Sequence, residues 1–522
     1  MREKRDLSLF PRRFGLKFIQ ITDLHLSDRN DTPAADALRW AIETADSIAP
    51  DLVAFTGDMT TFGTSGAAGQ FLDAASHLSV PWVFTPGNAE LRSKAAMVVL
   101  EQPASCRSLE MGEVCFLLPD TSSGSLTVED RRQLEAAPSR PLVILTHYPT
   151  DTLDADSRTW VTSWLAGRRV ELYLAGHRHF TRSRTIEGCN EVITRGLDPD
   201  KAFGGPPGIS VFERGNDGRW VEEAIPWPHG TERLPAEVDH SPVGWSIHGD
   251  PAETVRETID SGLHVLELRP RELDYDLAAT RAGLARLRED RPIYLSWHLP
   301  SLGWDDGMTG VDEVARQIDD GRSCEVDAFT IHVPQVRADR MFDGDEPSDL
   351  QDEFASGYRS LFEDAVKAGI RMSIENVHNA PGTPSDRAER KYATEIGEYV
   401  DWIDRMREKM RVPDLVGAHL DLGHARNNGV LGNMQPLGDW YACVGSRVTG
   451  YHIHQVRRDE GTGKIANHRG ITGIYDRTVS YAGFLNAWSK RLINRAPLFV
   501  EVRKADERRR TAALLEEWFR GA

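Results

Sequence analysis

Short apolar runs alternate along the chain with longer stretches in which apolar residues recur every three or four positions. The first pattern predicts buried β-strands and the second amphipathic helices. In the first half, strands are predicted over 18–23, 51–58, 81–88, 142–147 and 171–177, with shorter pieces at 190–194, 208–212 and 220–225. Leu38, Ile42, Ala45 and Ile48 fall at helical spacing within 34–48, and a second helix is expected over 66–78. Each long run breaks at a polar residue: Thr22-Asp23-Leu24-His25, Gly57-Asp58, Gly87-Asn88, Thr146-His147 and Gly176-His177-Arg178-His179. Asp23 and His25 are two apart, which on a strand would put them on the same side of the pleat.

The second half keeps the rhythm on a different scale. Eight strand-like runs lie at 243–248, 264–269, 293–298, 328–332, 371–376, 416–421, 448–454 and 497–502. Helical patterns at 251–261, 275–288, 350–368 and 394–409 separate several of them. Eight β/α units over about 280 residues predict a (β/α)8 TIM barrel, whose chemistry sits at the C-terminal ends of its strands. His298, His332, Glu375, Asp421, His424, His452, His454 and Glu501 occupy those ends. His264, at the start of the second run, is expected in the core or at the opposite face. Residues 226–242 carry four prolines and no apolar periodicity, which reads as an irregular linker. The expected layout is a domain over 14–226, a linker over 227–242 and a domain over 243–522, with His229 and His240 on the surface.

Length supports this division, since 522 residues exceed one compact core. Lys and Arg number 62 against 80 Asp and Glu, a net charge of −18 shared equally by the halves. Nucleic acid is therefore disfavoured as a partner. Cys106, Cys115, Cys189, Cys324 and Cys443 are scattered without a CxxC pair, which argues against a disulfide scaffold or a cysteine zinc site and suits a reducing compartment. The charged N-terminus and the lack of a long apolar run lead to the expectation of a cytoplasmic protein with no membrane partner. A homo-oligomer stays open.

Carboxylates, an amide oxygen and imidazoles at strand ends suit Mn, Fe, Zn or Mg. The set Asp23-x-His25, Gly57-Asp58, Gly87-Asn88, His147 and Gly176-His177-x-His179 resembles the calcineurin-like metallophosphoesterases over residues 14–226. The resemblance implies an αββα sandwich and two divalent metals. It implies that Asp23, His25 and His179 hold one metal, that Asn88, His147 and His177 hold the other, and that Asp58 bridges them. One position departs. The family places His after the Gly-Asn pair, to stabilise the phosphoryl charge or protonate the leaving oxygen. Here Ala89 stands in that place, followed by Glu90, with Arg92 two residues on. Glu90 and Arg92 are near enough in sequence to act as substitutes.

In the second half, Glu267-Leu268-Arg269, Ile374-Glu375-Asn376, His419-Leu420-Asp421-Leu422-Gly423-His424, Tyr451-His452-Ile453-His454 and Val500-Glu501-Val502 resemble the xylose isomerase-like barrels. That superfamily holds sugar isomerases and epimerases and the endonuclease IV-type nucleases. The resemblance implies one to three Zn or Mn ions, with Glu375, Asp421, His452 and Glu501 as one ligand set. Glu375 and Glu501 double as catalytic carboxylates. His452 is taken as the ligand and His454 as a catalytic contact, with Arg503 and Gln455 as substrate-binding residues. The nuclease-type pattern adds further ligands. His298, His332 and His424 fill three of them, while the later loop keeps His468 but has Ala466 where Asp belongs. His378 and His419 are expected to pack behind the ligands.

The leading expectation is a bifunctional enzyme, with a phosphoesterase joined to a barrel that rearranges or cleaves small phosphorylated or polyol metabolites. The alternatives are a nucleic-acid phosphodiesterase, and a first domain that binds phosphate ligands without turnover.

Overall fold

The computed structural model describes residues 15–100, 107–228, 241–271, 274–458, 464–476 and 478–519. His229, His240 and Cys106 lie outside them. Contacts divide the chain into two compact units, with the border between Trp227 and Pro228.

In the first unit the apolar runs form two sheets. β1 (Lys17–Ile21), α1 (Pro33–Ile48), β2 (Leu52–Thr56), α2 (Ser65–Ser76) and β3 (Trp82–Thr85) follow one another, and the three strands pair in parallel. After α3 (Lys94–Leu100) come β4 (Ser108–Met111), β5 (Val114–Leu117), α4 (Val128–Glu135), β6 (Leu142–Leu145), α5 (Ala155–Ala166), β7 (Val170–Ala175), β8 (Arg182–Ile186) and β9 (Cys189–Ile193). β10 (Gly208–Arg214) and β11 (Trp220–Pro226) return to the first sheet. The orders are β11-β10-β1-β2-β3 and β4-β5-β6-β7-β9-β8.

The central strands are apolar on both faces because each sheet is covered on both. Between the sheets Phe18 stacks on Phe212 at 5.1 Å and meets the Phe116 edge at 5.2 Å. Leu52, Val143, Leu145, Leu172 and Leu174 complete this layer. Leu38, Ala41 and Ala45 of α1 cover the outer face of the first sheet, where they join Ile19, Ile21, Val53 and Phe55. Leu134 of α4 and Val161 and Leu165 of α5 cover the second. The result is an αββα sandwich.

The second unit is a closed barrel of eight parallel strands: Val243–Gly249, Val265–Pro270, Tyr294–His298, Ala328–His332, Arg371–Glu375, Val416–Asp421, Val448–Ile453 and Leu498–Val500. Closure pairs the first strand with the last, Val243 beside Leu498 and Trp245 beside Val500. The helix Pro251–Ser261 shows how local chemistry sets the boundaries: Asp250 accepts from the Glu253 N–H at 2.9 Å, Pro251 opens the first turn, and Gly262 follows the last. Residues of one parity face the helices, as where Trp297 Nε1 donates to Gln317 of the helix Val311–Ser323 at 3.1 Å. Residues of the other parity meet inside, and they are polar: Ser296 and Thr330 both donate to Glu267, at 3.1 and 2.7 Å. A barrel interior of this type is ordinarily filled by branched apolar residues. His264 lies below its strand, its ring Nδ1 on the Pro292 carbonyl at 3.0 Å. Among the described residues no helix is long and apolar enough to cross a membrane.

Phe55 is fully buried and meets Phe71 edge-on at 4.9 Å. Phe55→Ala is expected to cost about 3–5 kcal/mol, because neighbours on two rigid layers cannot collapse into the space. Chemical denaturation checks this, and a loss under about 1 kcal/mol would contradict the packing described.

Candidate metal centres

The strands of the first unit stop before their polar residues. β1 ends at Ile21, β2 at Thr56, β6 at Leu145 and β7 at Ala175. Asp23 and His25 are therefore brought together by the loop and not by the pleat, and the strand-based expectation is corrected. Asp23, His25, Asp58, His177 and His179 all have left-handed backbone, with φ from 48° to 68°. Each such residue costs about 1–2 kcal/mol, so surrounding bonds must hold it. Asp23 N–H donates to the Gly57 carbonyl at 3.0 Å and His25 N–H to the Asp58 carbonyl at 2.9 Å. Gly57 is required because a side chain there would run into His147, and Gly176 because it would meet Thr22 and Asp23.

The loops bring all seven predicted residues of this unit together. Donor atoms of Asp23, His25 and His179 lie within 4.8 Å of one another. His25 Nε2 and His179 Nε2 face each other at 3.3 Å, and His179 Nε2 is 3.5 Å from Asp23 Oδ1. On the other side Asn88 Oδ1 lies 3.3 Å from His147 Nε2 and 3.0 Å from His177 Nδ1. Asp58 spans the two, with Oδ2 at 3.5 Å from His25 Nε2 and Oδ1 at 3.4 Å from His147 Nε2. His147 Nδ1 donates to the Thr56 carbonyl at 3.0 Å, so in the neutral ring the Nε2 lone pair points at acceptor oxygens of Asn88 and Asp58. Lone pairs converging in this way fit a divalent cation.

Electrostatics reports the same crowding. Burial pushes the Asp23 carboxyl up to about 7, against the pull of His147 and with the Asp58 charge adding to the rise. Burial also lowers His177 to about 4, helped by His147. For His147 burial works downward, but Asp58 and Asp23 leave it raised. Glu90 is fully buried, and three donors hold it: Thr60 N and Oγ1, both at 2.8 Å, and Gly87 N at 2.7 Å. Burial, with the Asp58 charge, pushes its carboxyl up to about 7, and the three donors make it a brace of the loop.

In the barrel, Glu375, Asp421, His452 and Glu501 are buried, with donor atoms within 4.8 Å of one another. Asp421, His424, His454 and His468 form a second group that shares Asp421. Glu375 Oε2 is 2.7 Å from His298 Nε2 and 3.2 Å from His332 Nε2, while its Oε1 is 3.0 Å from His452 Nδ1. Burial opposes ionisation of Glu375, but His332, His452 and their neighbours hold its carboxyl well below the usual range. Burial would lower His452, but Glu375, Glu267 and Glu501 raise it well above an ordinary imidazole.

Three predicted residues are placed differently from the rest. His454 is fully buried, with Nε2 at 3.1 Å from Asp421 Oδ1 and Nδ1 accepting from the His468 N–H at 3.1 Å. The backbone bond puts the proton of the neutral ring on Nε2, so His454 orients Asp421. Gln455 is fully buried and its amide is taken up by the backbone of Val456 and Val479. Arg503 is exposed, and its N–H donates to the His468 carbonyl at 3.3 Å. His378 packs on His424 with ring centres 4.8 Å apart, and His419 packs on His452 at 4.2 Å.

Glu267 and Arg269 entered the sequence reading only as part of a motif, without a role at the site. Glu267 accepts from His452 Nε2 at 2.7 Å and leaves Nδ1 facing Glu375 and Glu501; Arg269 bonds Glu501 directly. A carboxylate behind an imidazole fixes the ring for a metal on its other nitrogen. The local signal for such a role was an acid breaking the apolar run from Val265 to Leu268.

Residues 16–180 match the sequence model of the calcineurin-like phosphoesterase family. No curated protein sequence matches the chain. Among solved structures, the chain is similar to a dimetal phosphatase from Danio rerio at 15% identity, covering 41% of this chain and 96% of that one, with a TM-score of 0.36. It is also similar to a xylose isomerase-like TIM barrel protein from Mycobacterium smegmatis solved with magnesium, at 15% identity, covering 55% and 94%, with a TM-score of 0.35. A third similar structure is a fusion of a xylose isomerase-like TIM barrel with a 4-hydroxyphenylpyruvate dioxygenase, at 16% identity, covering 53% and 42%, with a TM-score of 0.36.

Glu267→Gln should weaken metal binding by the barrel about 10–100-fold with far-UV circular dichroism unchanged, as read by chelator competition. Undiminished affinity would contradict the orienting role. Metal-free protein titrated with manganese should release more protons near pH 6 than near pH 8.5. Below about 7 Asp23 still carries its proton and must lose it to bind, whereas above it the carboxylate is already ionised. Calorimetry in buffers of different ionisation enthalpy measures this, and equal release at both values would contradict it.

Proposed function

We propose that the chain is a bifunctional metal-dependent enzyme, a phosphoesterase joined to a barrel that acts on a small phosphorylated or sugar-like metabolite. The observation that carries the first half of this reading is Asp58, which turns one oxygen to each of two donor groups. Divalent metals held there, two of Mn, Fe, Zn or Mg, would activate water and offset phosphoryl charge. The chain's own part is to hold Asp23, His25 and His179 on one side and Asn88, His147 and His177 on the other. Glu90 and the loop hydrogen bonds keep that arrangement in place.

In the barrel, Glu375 and Glu501 lie on either side of His452 Nδ1, at 3.0 and 3.3 Å. Both carboxylates of this pocket are held in the charged form against burial, Glu375 by His332 and His452. Arg269 favours the charged form of Glu501, which burial opposes, and leaves it at about 2. Such a pair suits proton transfer between adjacent carbons of a sugar or polyol. With Zn or Mn on Glu375, Asp421, His452 and Glu501, the metal would polarise the oxygens on those carbons.

A second reading, phosphodiester cleavage in nucleic acid, is favoured by the additional donors Asp421, His424 and His468. The net charge of −18 opposes it.

Metal-loaded protein is expected to hydrolyse members of a panel of phosphomonoesters, phosphodiesters and sugar phosphates. Asp58→Asn should lower that hydrolysis about 10²–10⁴-fold. An inert wild-type protein would overturn the phosphoesterase reading, and incision of an abasic-site oligonucleotide would favour the second one.

A further inference from the structure

Position 89 leaves the first site without an imidazole, and the structure shows what stands near the gap. The Ala89 methyl is fully buried and has no proton to give. Glu90 is committed to Thr60 and Gly87. Lys201 lies 3.6 Å from Asp198. Arg92 is different. It closes the single turn Glu90–Arg92 that Ala89 caps, and its N–H donates to the Ala89 carbonyl at 3.2 Å. Its side chain is exposed, and Nη1 donates to the Thr61 carbonyl at 2.6 Å. The Thr61 hydroxyl in turn donates to the His25 carbonyl. The guanidinium is thus tied to the backbone of the first donor group. On the side of the second group the Tyr148 ring stacks on His177 at 4.1 Å.

We propose that Arg92 occupies the functional place of the missing imidazole, holding the charge of the phosphoryl group without supplying a proton, and that the first site therefore takes phosphoric anhydrides and aryl or enol esters in preference to alkyl phosphates. This rests on the phosphoesterase reading above and names its substrate class. A guanidinium has five N–H donors in a fixed fork, and the Thr61 carbonyl takes one of them. The others suit two oxygens of one phosphoryl group. The same guanidinium cannot act as an acid, because it keeps its proton throughout the accessible pH range.

The water oxygen forms the new bond to phosphorus, and one proton of that water passes to solvent. The bond to the leaving oxygen breaks with its electron pair on that oxygen, which departs as an anion. Groups stable as anions, a phosphate, a phenolate or an enolate, leave readily in this way, whereas an alkoxide does not.

The test uses the metal-loaded full chain with a series of aryl phosphates, an alkyl phosphate and a nucleoside diphosphate, together with calorimetric binding of inorganic phosphate. Wild type is expected to favour nitrophenyl phosphate over the alkyl ester strongly. Arg92→Gln should cut kcat/KM about 10²–10³-fold on every ester while leaving the dependence on leaving group unchanged, and should weaken phosphate binding in parallel. Arg92→Lys should recover part of the phosphate affinity, which a purely structural role would not predict. Ala89→His should raise the alkyl rate selectively, by about 10²-fold. If Arg92→Gln keeps phosphate affinity and rate within about threefold of wild type, the inference falls and the phosphoesterase reading stands. If Tyr148→Phe instead steepens the dependence on leaving group, the tyrosine supplies the proton and the inference is overturned. If wild type neither binds phosphate nor hydrolyses any ester, the reading falls and this inference with it.

Discussion

The barrel is organised around the cost of keeping carboxylates away from water. Glu267, Glu375 and Asp421 have no exposed surface, and Glu501 has almost none. An isolated ionised carboxylate in such a place would cost many kcal/mol or give up its charge. Here the charge is kept, because each carboxylate meets an imidazole or a guanidinium of the opposite sign. His452 is the centre of this arrangement, with Glu267 behind it and Glu375 and Glu501 before it. The polar barrel interior follows from that need: Ser296 and Thr330 serve Glu267, and Asn376 uses its amide on the Asp421 backbone in both directions, at 3.0 and 2.7 Å.

The first unit meets the same constraint with backbone geometry. Its strands end early, and short left-handed steps turn Asp23, His25, Asp58, His177 and His179 inward. Strain of this kind persists only where the surroundings over-determine it. The bonds from Asp23 and His25 to the next loop, and from Asp198 N–H back to the Asp23 carbonyl at 2.9 Å, provide that determination. The two units thus reach similar donor sets by different means, one from strand ends inside a barrel and the other from strained loops above a sandwich.

Much of this was legible in the sequence. An apolar β-branched run broken by Asp, Asn or His marks both a strand and a candidate ligand, and the seven positions of the first unit were found that way. Strand parity and the eight-fold rhythm also gave the barrel and its C-terminal ring of acids and histidines. Pairings across long separations were not legible. Glu267 and His452 are 185 residues apart, and nothing local shows that they meet. The left-handed φ values were hidden too, since Asp and His carry no marker for them as Gly does. The strand Ser108–Met111 has only a weak pattern because it lies at a sheet edge with alternate residues exposed. The commitment of Gln455 to backbone and of Glu90 to its brace became visible only with neighbours in place.

The central claim is that each unit holds its own metal, at donors the fold has gathered. Elemental analysis of reconstituted, dialysed protein tests it most directly, with wild type compared to Asp58→Asn and Glu375→Gln. The account predicts bound metal well above one ion per wild-type chain, with each variant losing only the share of its own unit. Metal at trace level in folded wild type, or unchanged content in both variants, would contradict it.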